Sequence, residues 1–314
     1  MFIEKLDPTP IQKLSEDLNG NVFYIKREDL IPVSLGGNKA RKALLFFKDI
    51  KAKCCDCVVT YGSSSSNHCR IVSNIAASKG IPCYIITPFE SNRLTANSRM
   101  MELFGAKVIQ CSVSEVGYTI SKIIEDLKIK GHNPYFIQGG GHGNIGTQAY
   151  VNAFKEIKDY ENNKGLYFDY IFHASGTGTT QAGLICGQLI HGDSKEIIGV
   201  SIARRNPYGR QVVLNSVNDY LMGVNTGCVP SDLIKFIDDY VLDGYGSYNN
   251  DVLKTIKQVL IQDGIALDTT YTGKAFWGMR EYIKKNQIKG KSILFIHTGG
   301  TPLFFDDLGL LANE

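Results

Sequence analysis

The 314-residue chain is 43% hydrophobic and 21% charged, and its 34 basic and 31 acidic side chains leave a formal charge of +3. That balance is ordinary for a soluble globular protein with room for two modest domains, and without a basic block it excludes a nucleic-acid-binding stripe. No apolar run approaches the roughly 18 residues needed to cross a bilayer.

The opening MFIEKLDPTPIQKL lacks the basic-then-apolar order of a secretory signal. The eight cysteines sit mostly in apolar surroundings of a chain too long for a disulfide framework, so reduced thiols and a cytoplasmic setting are expected.

In chain order, short apolar strands are predicted at 22–25, 57–61, 83–87, 107–111, 135–138, 170–173, 197–202 and 293–297. Helices fall between them, among others at 40–51 and 70–78; in the second, Ile71, Val72, Ile75 and Ala76 share one face. Strands alternating with helices predict an α/β protein of two doubly wound, mostly parallel-sheet domains. The four strand–helix units between about 57 and 138 place a small domain at 46–151. The large domain is then discontinuous, 1–45 and 152–314, with the hydrophilic 155–165 stretch as the return linker. Cys54 and Cys57 form a C-x-x-C, but no second cysteine pair or histidine pair stands at metal spacing. A helix-to-strand junction is the favoured reading there, and no metal is expected.

Ligands of such sheets bind beyond the carboxyl ends of the strands. Gly- and hydroxyl-rich segments stand at positions of that kind: 35–39, 62–67, 139–146, 175–181 and 297–301. Together they point to one cleft between the domains.

Ser175-Gly176-Thr177-Gly178-Thr179-Thr180-Gln181 runs from a strand into the apolar helical stretch 182–190. Glycines free backbone N–H groups to face an anion, threonine hydroxyls add donors, and the helix start adds positive potential, so a phosphate cradle is expected. No Gly-Lys-Ser/Thr closes it as a Walker loop, and Gln181 replaces the third glycine of a dinucleotide fingerprint. Arg204-Arg205, after the next strand, could suit a 2′-phosphate and keeps an NADP-dependent oxidoreductase as an alternative on this loop alone.

Lys39 follows a Gly36-Gly37-Asn38 turn at a helix start, with Arg41 and Lys42 beside it. A helix N-terminus and neighbouring cations both disfavour the ammonium form and lower the pKa. Such a lysine can form a Schiff base with an aldehyde cofactor. A phosphate cradle and an activated lysine together suggest pyridoxal phosphate. The run Ser63-Ser64-Ser65-Ser66-Asn67-His68 caps the helix at 70, and its surplus hydroxyls could hold a substrate carboxylate or relay a proton.

With GGNKARK at 36–42, SNH at 66–68, GTGTTQAG at 176–183, YTGK at 271–274 and HTGG at 297–300, the chain resembles the fold type II pyridoxal-phosphate enzymes. Within them it is most similar to the D-cysteine desulfhydrase and 1-aminocyclopropane-1-carboxylate deaminase branch. The resemblance implies that Lys39 carries the cofactor and later moves the α-proton. It implies that Asn67 bonds the ring hydroxyl, and that Gly176, Thr177, Gly178, Thr179 and Thr180 hold the phosphate. Ser66 would serve the substrate carboxylate or carry a proton, and Tyr245 and Tyr271 would flank cofactor and substrate. Ser65, His68 and Gly141 lie in loops on the substrate side.

The deaminases have Glu in the slot of Thr272 and Leu in that of Thr298, whereas hydroxyl residues there go with desulfhydrases. A hydroxyl near the pyridine nitrogen makes a shallower electron sink than a carboxylate, sufficient to expel a good β-leaving group. The expected activity is α,β-elimination from a small amino acid, D-cysteine giving pyruvate, ammonia and sulfide. The alternatives are β-replacement, the deaminase reaction and a non-catalytic cofactor-binding protein. The serine run 63–65, Thr269 in place of proline and the 139–146 loop depart from the branch pattern, which leaves the substrate open. A homodimer is implied by the resemblance, with no membrane or nucleic-acid partner.

Overall fold

A computed structural model describes residues 6–91 and 94–312. The first strands are β1 (Ile11–Lys13) and β2 (Val22–Arg27), followed by helix α1 (Asn38–Ala52). Then come β3 (Cys57–Tyr61), α2 (Asn67–Ser78), β4 (Cys83–Pro88), α3 (Ala96–Leu103), β5 (Lys107–Cys111), α4 (Val116–Ile129) and β6 (Pro134–Ile137). Helix α5 (Asn144–Lys164) leads to β7 (Tyr170–Ser175), α6 (Thr179–Ile190), β8 (Glu196–Ser201), α7 (Tyr208–Gly223) and β9 (Lys235–Ile237). The chain closes with α8 (Asn250–Asp263), α9 (Thr272–Lys285), β10 (Ser292–His297), α10 (Thr301–Asp306) and α11 (Leu308–Ala312).

The strands form two sheets, ordered β1-β2-β10-β7-β8-β9 and β5-β4-β3-β6. Only the β1–β2 pairing is antiparallel among those described. Central strands read as continuous apolar runs because both faces are covered. The β10 residues Ile293, Phe295 and their neighbours pack under α8 and α9 on one face, while Leu294 and Ile296 meet α5, α6 and α7 on the other. In the smaller sheet, Val58 joins the core made by α1 and α2, and Val59 the one made with α4. No helix of the described residues is long and apolar enough to cross a membrane.

The 155–165 stretch is not a linker. It forms the second half of the 21-residue helix α5 and ends at Gly165, whose φ of 63° closes the helix in the left-handed region. Ala153, Phe154, Ile157 and Glu161 recur at helical spacing and are buried, so the polar letters between them are the solvated face. Helix α2 likewise starts at Asn67, three residues before the expected 70, with Ser66 as its N-cap.

Candidate active site

The carboxyl ends of β3, β6, β7, β8 and β10 open onto one cavity of about 360 Å³, lined by loops from both sheets. Lys39, in the first turn of α1, reaches its wall. The turn before it requires glycine. Gly37 (φ 102°) lies so close to β10's exit loop that a Cβ would stand 2.8 Å from the Thr298 carbonyl oxygen, and the Asn38 N–H donates to that oxygen at 2.9 Å. The turn thereby ties the lysine to Thr298, which also lines the cavity.

Nζ of Lys39 donates to the carbonyl of Gly140 at 2.9 Å. Gly140 is a second place where only glycine fits, because a Cβ would come 2.6 Å from Thr177 and 3.2 Å from the lysine nitrogen. Burial of the amine, and then the guanidinium of Arg204, lower the Lys39 pKa to about 8. Arg41, expected from its proximity in sequence to do this, points elsewhere. Its guanidinium meets Glu28 at 2.5 and 2.8 Å and Glu156 at 2.6 and 3.0 Å. The cation that acts on Lys39 comes instead from the exit of β8.

Gly176 and Thr177 line the cavity, whereas Gly178, Thr179 and Thr180 begin α6 immediately behind them. Thr180 accepts from the Asn38 side chain at 3.0 Å, and Thr179 meets Nδ1 of His142 at 3.2 Å. His142, which sequence reasoning left unassigned, thus braces the loop from the 139–146 side. Arg204 donates to the Gly176 carbonyl at 2.8 Å, Arg205 to that of Leu242 at 2.8 Å, and Gln181 to that of Lys235 at 2.8 Å. Arg204 and Arg205 therefore tie loops together, which weakens the support they gave to a dinucleotide, while Gln181 ties α6 to β9.

Ser66 accepts from the Cys69 N–H at 3.2 Å as the cap of α2 and also lines the cavity. Its own O–H hydrogen remains available to a ligand. Capping and ligand contact are therefore compatible. Asn67 accepts from Asn97 at 2.9 Å through its amide oxygen, which leaves its NH₂ for the cavity it lines. His68 has Nε2 at 2.9 Å from the Thr60 hydroxyl, and that hydroxyl donates to Ile137 O at 2.8 Å. The imidazole must then donate from Nε2 and keep Nδ1 as a bare acceptor, and Nδ1 is buried with no partner. Burial, then Lys39 and Lys42, hold this ring well below the usual histidine pKa, so it stays neutral. Ser65 bonds Ser63 at 3.2 Å, and Ser63 is the member of that pair that lines the cavity. Gly141 lies against the Lys42 side chain.

The hydroxyls of Tyr245 and Tyr271 hydrogen-bond to each other at the cavity wall. Burial, then Tyr245, push Tyr271 well above the usual phenol pKa, so it is a proton donor at neutral pH. Two residues missed in the sequence hold this pair. Asp268 accepts from the Tyr271 N–H at 2.7 Å and from the Thr272 hydroxyl at 2.7 Å. Lys274, fully buried, donates to the carbonyls of Gly244 at 2.8 Å and Val241 at 3.2 Å, fixing the loop that carries Tyr245. Thr272 sits behind the cavity wall with its hydroxyl committed to Asp268, while Thr298 faces the cavity.

The signature of the family described as pyridoxal-phosphate dependent enzyme spans residues 4–299. The chain belongs to that family. It is 33% identical over 305 residues to a Pyrococcus abyssi protein provisionally named 1-aminocyclopropane-1-carboxylate deaminase, covering 95% of this chain and 90% of that one. It is 32% identical over 309 residues to the D-cysteine desulfhydrase of Yersinia enterocolitica, covering 95% and 92%. A crystal structure of an ACC deaminase homologue superposes with a TM-score of 0.87 at 32% identity, over 97% of this chain and 93% of that one. The family uses pyridoxal phosphate, and the fold type II architecture is shared.

The residues present fit that cofactor. Lys42, next on the Lys39 face of α1, has a fully buried Nζ with no hydrogen-bond partner, an orphaned donor that an anion would satisfy. Burial, then Lys39, hold its pKa well below the ordinary lysine value. The glycine- and threonine-rich start of α6 suits a phosphate, and Lys39 at the cavity wall could bind the aldehyde.

Proposed function

We propose that this enzyme eliminates a β-substituent from a small amino acid, with D-cysteine as substrate and pyruvate, ammonia and sulfide as products. Pyridoxal phosphate, when bound, supplies an electron sink for the α-carbon. Lys39 holds the cofactor through its amine and, once released, takes the α-proton at Nζ; its lowered pKa makes that amine a competent base near neutral pH. Gly176, Thr177, Gly178, Thr179 and Thr180 hold the phosphate, and the Asn67 amide donates to the ring hydroxyl. The Ser66 hydroxyl donates to the substrate carboxylate or passes a proton, with Ser65, His68 and Gly141 on the same side. Tyr271, kept neutral by burial, donates a proton to the departing group while Tyr245 orients its hydroxyl.

The observation that carries this reading is the chemistry of the wall. Among the described residues lining the cavity there are amides, hydroxyls, an imidazole and two cations, but no carboxylate. Asp268, the acid nearest in sequence to Thr272, is already filled by Thr272 and the Tyr271 N–H. Without an acid to keep a ring nitrogen protonated, expelling sulfide is favoured over opening a cyclopropane. Eight unpaired thiols support a cytosolic setting, and a homodimer belongs to the same reading. The test is a comparison of pyruvate from D-cysteine with ketobutyrate from aminocyclopropane-carboxylate, with no added nucleophile. Faster pyruvate release supports the proposal. Faster ketobutyrate release refutes it, and turnover only with an added nucleophile points to β-replacement.

A further inference from the structure

The Cys54–Cys57 motif has no part in this chemistry. It lies at the opposite end of the small sheet from the cavity, where Cys57 opens β3 in register with Pro134 of β6. The fold brings to it a histidine that sequence spacing could not supply. Ligand atoms of Asp56, Cys57 and His132 all lie within 4.8 Å of one another, and Nδ1 of His132 is 3.0 Å from the Asp56 carboxylate. The Cys57 thiol also donates to that carboxylate. Zinc bonds of about 2.0–2.3 Å separate tetrahedral ligands by roughly 3.3–3.8 Å, so these three need only small adjustments to share one ion.

The surroundings hold the group in place. Asn133 donates its N–H to Asp56 at 2.8 Å and its side-chain amide to the carbonyls of Lys53 and Cys54 at 3.2 Å each. The Asp56 N–H returns a bond to the Asn133 carbonyl at 3.2 Å. Outer bonds of this kind orient metal ligands before the ion arrives. Lys53, the adjacent ammonium, is turned to Asp49 at 2.7 Å and does not neutralise Asp56. His132 and Asp56 are 41% and 49% exposed, giving an ion access from water, while buried Cys57 forms the floor.

We infer that Asp56, Cys57 and His132 form a zinc site, with water as fourth ligand. One thiolate, one imidazole and one carboxylate suit zinc, whereas calcium and magnesium favour oxygen alone. Binding breaks the Cys57 S–H bond, releases that proton to solvent, and forms Zn–S, Zn–N and Zn–O bonds; no electron is transferred. The ion would fasten the loop after α1 to the start of β6, away from catalysis.

The test dialyses the holoenzyme against zinc chloride, removes free metal on a desalting column, and measures bound zinc and the zinc X-ray absorption edge. About one zinc per chain, with sulfur in its coordination sphere, is expected. His132→Gln, Asp56→Asn and Cys57→Ser should each weaken binding by ~10-fold or more while turnover stays at the wild-type level. Because His132 and Asp56 are exposed, their variants decide the question even if Cys57→Ser fails to fold. Uptake below about 0.1 zinc per chain, an edge without sulfur, or equal uptake by wild type and these two variants would overturn the site.

Discussion

Lys39 owes its reactivity to three-dimensional neighbours more than to its helix-start neighbours. Burial and Arg204 bring its pKa to about 8, so the fraction of neutral amine climbs as pH rises toward that value and levels off above it. The rate at which apoprotein captures pyridoxal phosphate should follow that curve. Arg204→Met removes a cation that favours the neutral form, and the midpoint should move to higher pH; an unmoved midpoint would show that Arg204 does not act on the lysine. Ser66→Ala is expected to lower turnover by about 100-fold or more while cofactor content falls little. Parallel loss of both would reduce Ser66 to a helix cap. The lysine was legible because its glycine turn is a local signal. Arg204, His142, Asp268 and Lys274 were not assigned to the site, because what they do depends on contacts between segments distant in the chain.

Among the elements, strands such as β3 and β10 could be read from their β-branched and aromatic runs, since burial on both faces leaves little else. Helix α5 could not, because only its partners show that residues such as Phe154 and Ile157 face a core. It also carries Glu156 into a buried ion network with Lys26, Glu28 and Arg41 that fixes α1, and so Lys39, against the large sheet. Burial alone would raise the Glu28 pKa, but Arg41 and Lys26 outweigh it and hold the pKa at about 2. A depressed carboxyl pKa stabilises the fold above its ordinary value of 4.5, and that stability is lost as pH falls through about 2. Glu28→Ala should cost about 3–5 kcal/mol in a urea titration, since it strands buried cations, and should flatten this acid dependence. A loss under about 1 kcal/mol would contradict the network's role. On the far wall, Lys274→Met should free the Tyr245 loop and raise KM with a fall in kcat of ~10-fold or more, leaving cofactor content intact. Unchanged kinetics would show that the loop holds without it.

For the molecule as a whole, two mostly parallel sheets direct strand ends at one cavity, and the segments that meet there are the glycine- and hydroxyl-rich ones visible in the sequence. The pattern of strands and turns specified that convergence, whereas the depth of each residue within the cavity wall emerged only from packing. The account depends most on where the cofactor is attached. Borohydride reduction of the purified enzyme loaded with pyridoxal phosphate, followed by peptide mass mapping, addresses this directly. The account predicts loss of the visible band and one phosphopyridoxyl group, on Lys39. A label on Lys42 or Lys274 instead, or protein that never acquires the band, would contradict it.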